Sequence, residues 1–124
     1  PIYSNKANAG FPSPADDHME GKLDLNTHLI KHPSATFFVK ATGDSMIGAG
    51  IHEGDILVVD RSLEARNGKV VIAAVDGNLT VKRLKKSGKD TLLSPENNNY
   101  KPIKLTENND VVIWGVVTNV IHKV

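Results

Sequence analysis

A chain of 124 residues, 40% of them hydrophobic, is long enough to bury a core without disulfides or a structural metal, and one domain is expected. It has no cysteine, which removes a thiol nucleophile, a thiolate zinc site and a disulfide framework, and which fits a reducing compartment such as the cytoplasm. Fifteen basic against 14 acidic residues leave a formal charge of +1, too little to drive the whole molecule toward nucleic acid or anionic lipid, and no run approaches the roughly 20 apolar residues of a membrane span.

The first residues, PIYSNKANAG, lack the apolar centre of a secretory signal. Residues 1–22 are rich in Asn, Gly, Pro, Ser and Asp, and Phe11-Pro12-Ser13-Pro14 favours extended backbone because each proline restricts the residue before it. This stretch reads as a flexible arm, with the domain proper over 23–124. Asp24 can cap a short helix carrying Leu25 and Leu29, four apart and ending before Pro33.

From Thr36 the texture changes to short β-branched and aromatic runs between turn residues, the pattern of an all-β domain. Strands are expected over 36–41, 55–60, 69–75, 78–85, 90–94 and 111–117, with a further one over 119–123. Asp76-Gly77 between two such runs suits a two-residue type I′ hairpin, since both central positions need positive φ. That hairpin puts Lys82 on the returning strand.

Two positions carry the chemistry. Ser45, in Gly43-Asp44-Ser45-Met46 ahead of Gly48-Ala49-Gly50, sits at a strand exit where backbone amides can turn toward a substrate carbonyl. A lone Gly-Asp-Ser is more often only a turn, so the serine needs a base. None of the five histidines forms an obvious triad with it. A lysine desolvated by apolar neighbours can lose its proton and serve. Lys82, next to Val81 and on one strand face with Thr80 and Leu84, fits that role, while a solvated strand lysine is the plainer alternative.

Four ordered blocks resolve the choice: Phe37-Phe38-Val39-Lys40-Ala41-Thr42-Gly43-Asp44-Ser45-Met46, Gly54-Asp55-Ile56-Leu57-Val58-Val59-Asp60, Gly77-Asn78-Leu79-Thr80-Val81-Lys82-Arg83-Leu84 and Trp114-Gly115-Val116-Val117. Together they resemble the signature segments of the LexA/UmuD family of self-cleaving serine peptidases. Ala9-Gly10-Phe11-Pro12-Ser13-Pro14-Ala15 and His32-Pro33-Ser34-Ala35-Thr36 narrow the resemblance to its UmuD-like branch, over nearly the whole chain.

The resemblance implies a LexA-like peptidase fold of twisted antiparallel sheets and a serine–lysine dyad, Ser45 as nucleophile and Lys82 as general base. The substrate it implies is the Ala9-Gly10 bond of the protein's own arm. Ala-Gly is the LexA-like form of that bond, whereas the best-known UmuD has cysteine before the cut. The Ser45 backbone amide is the natural oxyanion donor. The family further implies a cytoplasmic homodimer, a RecA filament on single-stranded DNA as the trigger in the SOS response, and a Y-family translesion polymerase of the UmuC type as partner of the trimmed form. Two other readings compete: a non-catalytic polymerase-docking module on the same fold, and the peptidase domain of a LexA or phage-type repressor. The few residues before Ala9 cannot hold a helix-turn-helix, so direct sequence-specific DNA binding is not expected.

Other signals are weaker. His28 and His32 have the i, i+4 spacing of helical metal ligands but only Asp24 as a nearby carboxylate, and Asp16-Asp17-His18-Met19-Glu20 lacks the alternating ligands of a calcium loop. No metal and no cofactor are expected. The basic run Lys82-Arg83-Leu84-Lys85-Lys86 with Lys89 has no aromatic residue interleaved, and reads as a solvated hairpin edge rather than a phosphate-binding stripe.

Overall fold

The structure is a computed structural model that describes residues 2–3, 19–21 and 23–124. The chain divides into two compact units, residues 1–31 and 32–124.

In the first unit, β1 (Ile2–Tyr3) pairs antiparallel with β2 (Met19–Gly21). Helix α1 (Leu25–Leu29) starts where the sequence places it. Asp24 accepts hydrogen bonds from the amides of Asn26 (3.0 Å) and Thr27 (3.4 Å), which satisfies two donors that a helix start leaves open. The rest of the stretch read as an arm, including Ala9 and Gly10, lies outside the described residues.

The second unit is the β domain that the sequence predicts. Its strands are β3 (Thr36–Lys40), β4 (Ile56–Asp60), β5 (Val70–Val75), β6 (Asn78–Ser87), β7 (Asp90–Ser94), β8 (Ile103–Lys104) and β9 (Val111–Ile121), in one sheet of order β3-β4-β9-β5-β6-β7-β8. Every neighbouring pair is antiparallel. Strands β5 to β8 form successive local pairs, and β9 returns to fill the gap between β4 and β5.

The β5–β6 hairpin has the expected turn: Asp76 (φ 50°) and Gly77 (φ 85°) both take positive φ, as type I′ geometry demands. The Asp76 carboxylate reinforces it by accepting from the Asp110 amide (2.8 Å) and from the Asn109 side chain (2.9 Å). These bonds, the Asp110 amide foremost, hold the Asp76 carboxyl below its ordinary pKa. The turn thereby fixes the register in which Val71 stands opposite Lys82.

Strand β9 differs from the sequence expectation of two strands. It runs unbroken but skips a partner twice: Trp114 has none between Ile113 (opposite Ala73) and Gly115 (opposite Ile72), and Thr118 has none between Val117 and Asn119 on the β4 side. Such bulges bend a strand and increase its twist. Strand alternation then feeds two cores. Ile72, Leu57, Val59, Met46 and Ile51 pack in one, and Val71, Ala73, Leu84, Leu93 and Val116 in the other. Six of these, Leu57, Val59, Ile72, Val71, Ala73 and Leu93, are fully buried.

Gly115 lies between the two bulges, where β9 packs tightly on β4. A Cβ there would fall 2.7 Å from Val59 Cγ1 and 3.0 Å from the Asp60 carbonyl oxygen. Gly115→Ala is therefore expected to cost about 1–3 kcal/mol, the range for overpacking a tight interior. Urea unfolding should show a lowered midpoint with an unchanged slope; an unchanged midpoint would show that β4 and β9 have room to separate.

Candidate active site

Ser45 follows β3 in a turn that Gly43 makes possible by taking a left-handed conformation (φ 77°). Met46, next to it, is buried in the first core, so the turn is tied down by apolar packing. Lys82 comes from β6, 37 residues away, and the structure brings the two together: Lys82 Nζ lies 3.1 Å from Ser45 Oγ.

Two other acceptors hold the same amine, Thr80 Oγ1 at 2.8 Å and the Val81 carbonyl at 3.1 Å. Thr80 is two residues before Lys82, so strand periodicity puts both on one face. The lysine is partly buried, and burial lowers its pKa from the ordinary 10.5, with no carboxylate among the described residues hydrogen-bonded to the amine to offset lost hydration.

The pair opens onto a groove of about 300 Å³ between the end of β3 and the start of β6, lined by Val39, Ala41, Gly43, Ile51, Leu79 and Val81 among others. Both polar and apolar surface line it. Strand β3 is the edge of the sheet, so an extended chain entering the groove would find unpaired backbone groups beside it.

A second loop steadies the serine turn. After β7, Glu96 donates its amide to the Ser45 carbonyl (2.8 Å) and accepts from the Gly48 amide through its own carbonyl (2.7 Å). Asn97 Nδ2 donates to the Asp44 carbonyl (3.0 Å), and the Tyr100 hydroxyl to the Asp44 carboxylate. Arg83, the residue after Lys82, pairs with the Glu96 carboxylate. Lysine strand and serine turn are thus joined through Glu96. At Gly48 a Cβ would come within 2.6 Å of the Glu96 carbonyl oxygen, so this close approach requires glycine.

Sequence reasoning did not single out Glu96, Arg83, Asn97, Tyr100 or Asp44 for this purpose. Only Thr80 carried a signal, its two-residue spacing from Lys82. The basic run is split by strand alternation: Lys82 turns to the serine, Arg83 to Glu96 and the Gly68 carbonyl (2.6 Å), and Lys85 and Lys86 to solvent.

The histidine pair is split as well. His28 is in α1, while His32 Nδ1 meets Asp60 Oδ2 at 2.6 Å. Burial pushes the Asp60 carboxyl up, and hydrogen bonds from Ser62 and His32 outweigh it, so the net shift is downward. Among the described residues no helix is long and apolar enough to cross a membrane.

An antiparallel β domain that sets a serine hydroxyl against a half-buried lysine amine has an arrangement compatible with a serine hydrolase. Comparison with known proteins agrees. Residues 1–118 match the family described as Peptidase S24-like, and the chain belongs to that family of serine peptidases. It is 45% identical to Protein ImpA of Salmonella typhimurium, over 99% of this chain and 83% of that protein. It is 47% identical to Protein SamA of Salmonella typhimurium strain LT2 (99% and 85%) and 42% identical to Protein MucA of Escherichia coli (96% and 82%). These relatives are UmuD-like proteins, and the resemblance drawn from the four sequence blocks is borne out.

The lowered Lys82 pKa is directly measurable. Following the lysine εCH2 signals by NMR through an alkaline titration should show one lysine, assigned by its loss in Lys82→Ala, with a midpoint below the ordinary 10.5. A Lys82 midpoint at or above that value would mean that its burial does not disfavour the ammonium.

Proposed function

We propose that this protein is a self-cleaving serine endopeptidase of the SOS response, with Ser45 as nucleophile, Lys82 as general base and its own Ala9-Gly10 bond as substrate. The observation that carries the reading is the 3.1 Å contact between Ser45 Oγ and a lysine amine whose pKa burial lowers.

The steps follow from the groups present. Neutral Lys82 takes the Ser45 hydroxyl proton as Oγ bonds to the Ala9 carbonyl carbon. The oxygen of the tetrahedral adduct becomes an anion, and the Ser45 backbone amide donates to it. Collapse breaks the bond to Gly10, whose nitrogen leaves with the proton carried by Lys82. Water, deprotonated by the now neutral amine, then releases residues 1–9 from Ser45. Small residues on both sides of the bond limit crowding at the adduct, and glycine after the cut gives the backbone the freedom to enter beside β3.

Regulation and partners enter through the family. The reading assigns cleavage to a cytoplasmic homodimer stimulated by RecA on single-stranded DNA, and assigns the trimmed form to a Y-family translesion polymerase. Loss of residues 1–9 would convert a bond cleavage into a change of partner.

The test is incubation at about pH 10, where lowering of the Lys82 pKa raises the neutral share of the amine, with intact-mass detection beside Ser45→Ala and Lys82→Ala. Wild type alone is expected to lose residues 1–9, at a rate that rises with pH about tenfold per unit until the Lys82 midpoint and then levels off. The sign follows from the chemistry, because the protonated amine cannot accept the serine proton. A rate flat between about pH 7 and 10 would contradict the lysine base. Three intact chains, with RecA filaments present as well as without, would favour the non-catalytic docking module.

A further inference from the structure

Away from the serine–lysine groove, the turn that leads into β4 gathers two histidines around a buried carboxylate. Asp55 is 97% buried, since its side chain keeps only 3% of its exposure, while His52 and His122 retain 45% and 43%. His122 follows the last residue of β9, and Ile121 pairs with Ile56 next to Asp55, so sheet register brings the chain's end onto this turn. His122 Nδ1 lies 2.6 Å from Asp55 Oδ1, and His52 Nδ1 lies 3.7 Å from Asp55 Oδ2. The two imidazole rings lie 4.7 Å apart, tilted by 34°.

We propose that His52, Asp55 and His122 form a binding site for a divalent transition-metal ion of the zinc class. One ligand atom from each residue lies within 4.8 Å of the other two. Ligands about 2.0–2.1 Å from a tetrahedral zinc stand roughly 3.3 Å from one another; His122 Nδ1 is 2.6 Å from Asp55 Oδ1 and His52 Nδ1 is 3.7 Å from Oδ2 of the same carboxylate, so each imidazole is within about an ångström of that spacing from the carboxylate. Small rotations of two partly exposed rings supply the difference.

The carboxylate itself is already oriented. Asp55 Oδ2 accepts from the His52 amide (2.8 Å), the Asp55 amide donates to the His52 carbonyl (3.0 Å), and its carbonyl accepts from Ala41 (2.8 Å). Two imidazole nitrogens with one carboxylate oxygen favour zinc, nickel or copper over magnesium or calcium, which prefer oxygen throughout. The ion takes the place of the hydrogen bond between His122 Nδ1 and Asp55 Oδ1, and the single proton of the neutral imidazole sits on Nε2 while Nδ1 binds the metal. Water completes the coordination on the exposed side, and the ion ties the end of β9 to the turn before β4.

His52 is three residues before Asp55 and 70 before His122, so this site has none of the compact spacing by which metal motifs are read from sequence. It is independent of the peptidase reading, and its test does not use cleavage.

Calorimetric titration of the tag-free full chain with Zn2+ near neutral pH, and with Co2+ followed by its visible absorption, reads the site directly. One ion per chain is expected, with tetrahedral-type cobalt bands and a Zn2+-dependent rise in melting temperature. His52→Ala and His122→Ala, whose side chains are at the surface, should each weaken Zn2+ binding by at least about tenfold and abolish the thermal shift, with unchanged circular dichroism. His28→Ala, on α1, should leave both intact. Absence of saturable binding overturns the proposal. Binding that survives the combined His52→Ala and His122→Ala change overturns it too, by placing the ion elsewhere.

Discussion

A lysine amine half removed from water loses hydration that only a counter-charge or deprotonation can offset, and among the described residues Lys82 is given three neutral oxygens and no carboxylate. The surrounding structure is arranged so that this position persists. The type I′ turn at Asp76-Gly77 sets the β5–β6 register, and the second core packs Leu84 two residues beyond the lysine. Thr80 takes one of the amine's hydrogen-bonding directions and leaves another for Ser45. In the proposed mechanism, the energetic penalty on the ammonium form is what suits this strand lysine to act as base for the serine.

The serine side is held differently. A turn after an edge strand has only one neighbouring strand to support it, and here the missing support comes from the loop after β7. Glu96 bridges both halves: its backbone bonds to Ser45 and Gly48, and its carboxylate to Arg83 beside the lysine. Because interiors transmit strain rather than absorb it, the 3.1 Å distance between amine and hydroxyl depends on this loop as much as on β3 and β6. A sheet-based frame with one close-fitting loop suits the proposed self-cleavage, whose substrate would need no deep specificity pocket.

Much of this was legible in the sequence because it is local. The hairpin turn, the Asp24 cap and the strands around it are set by residues a few positions apart, and the four motif blocks mark the serine and the lysine. Strand β9 was not legible as one element, since the partnerless Trp114 and Thr118 are defined only by β5 and β4 lying on either side. Glu96 was invisible for a similar reason: most of its bonds use backbone groups that every residue has. Strand β8 is two residues long and pairs only with β7, too short to leave an alternating pattern. The histidines with i, i+4 spacing lie in different units, whereas two that lie 70 residues apart share one carboxylate; sheet register, not sequence distance, decides which side chains meet.

Labelling with a serine-directed fluorophosphonate, followed by peptide mapping, tests the central claim that Lys82 activates Ser45. The account predicts label on Ser45 alone, incorporated faster as pH rises through the lowered Lys82 midpoint and lost in Lys82→Ala. Equal labelling of Ser45 in wild type and Lys82→Ala would contradict it, because the hydroxyl would then owe none of its reactivity to the amine beside it.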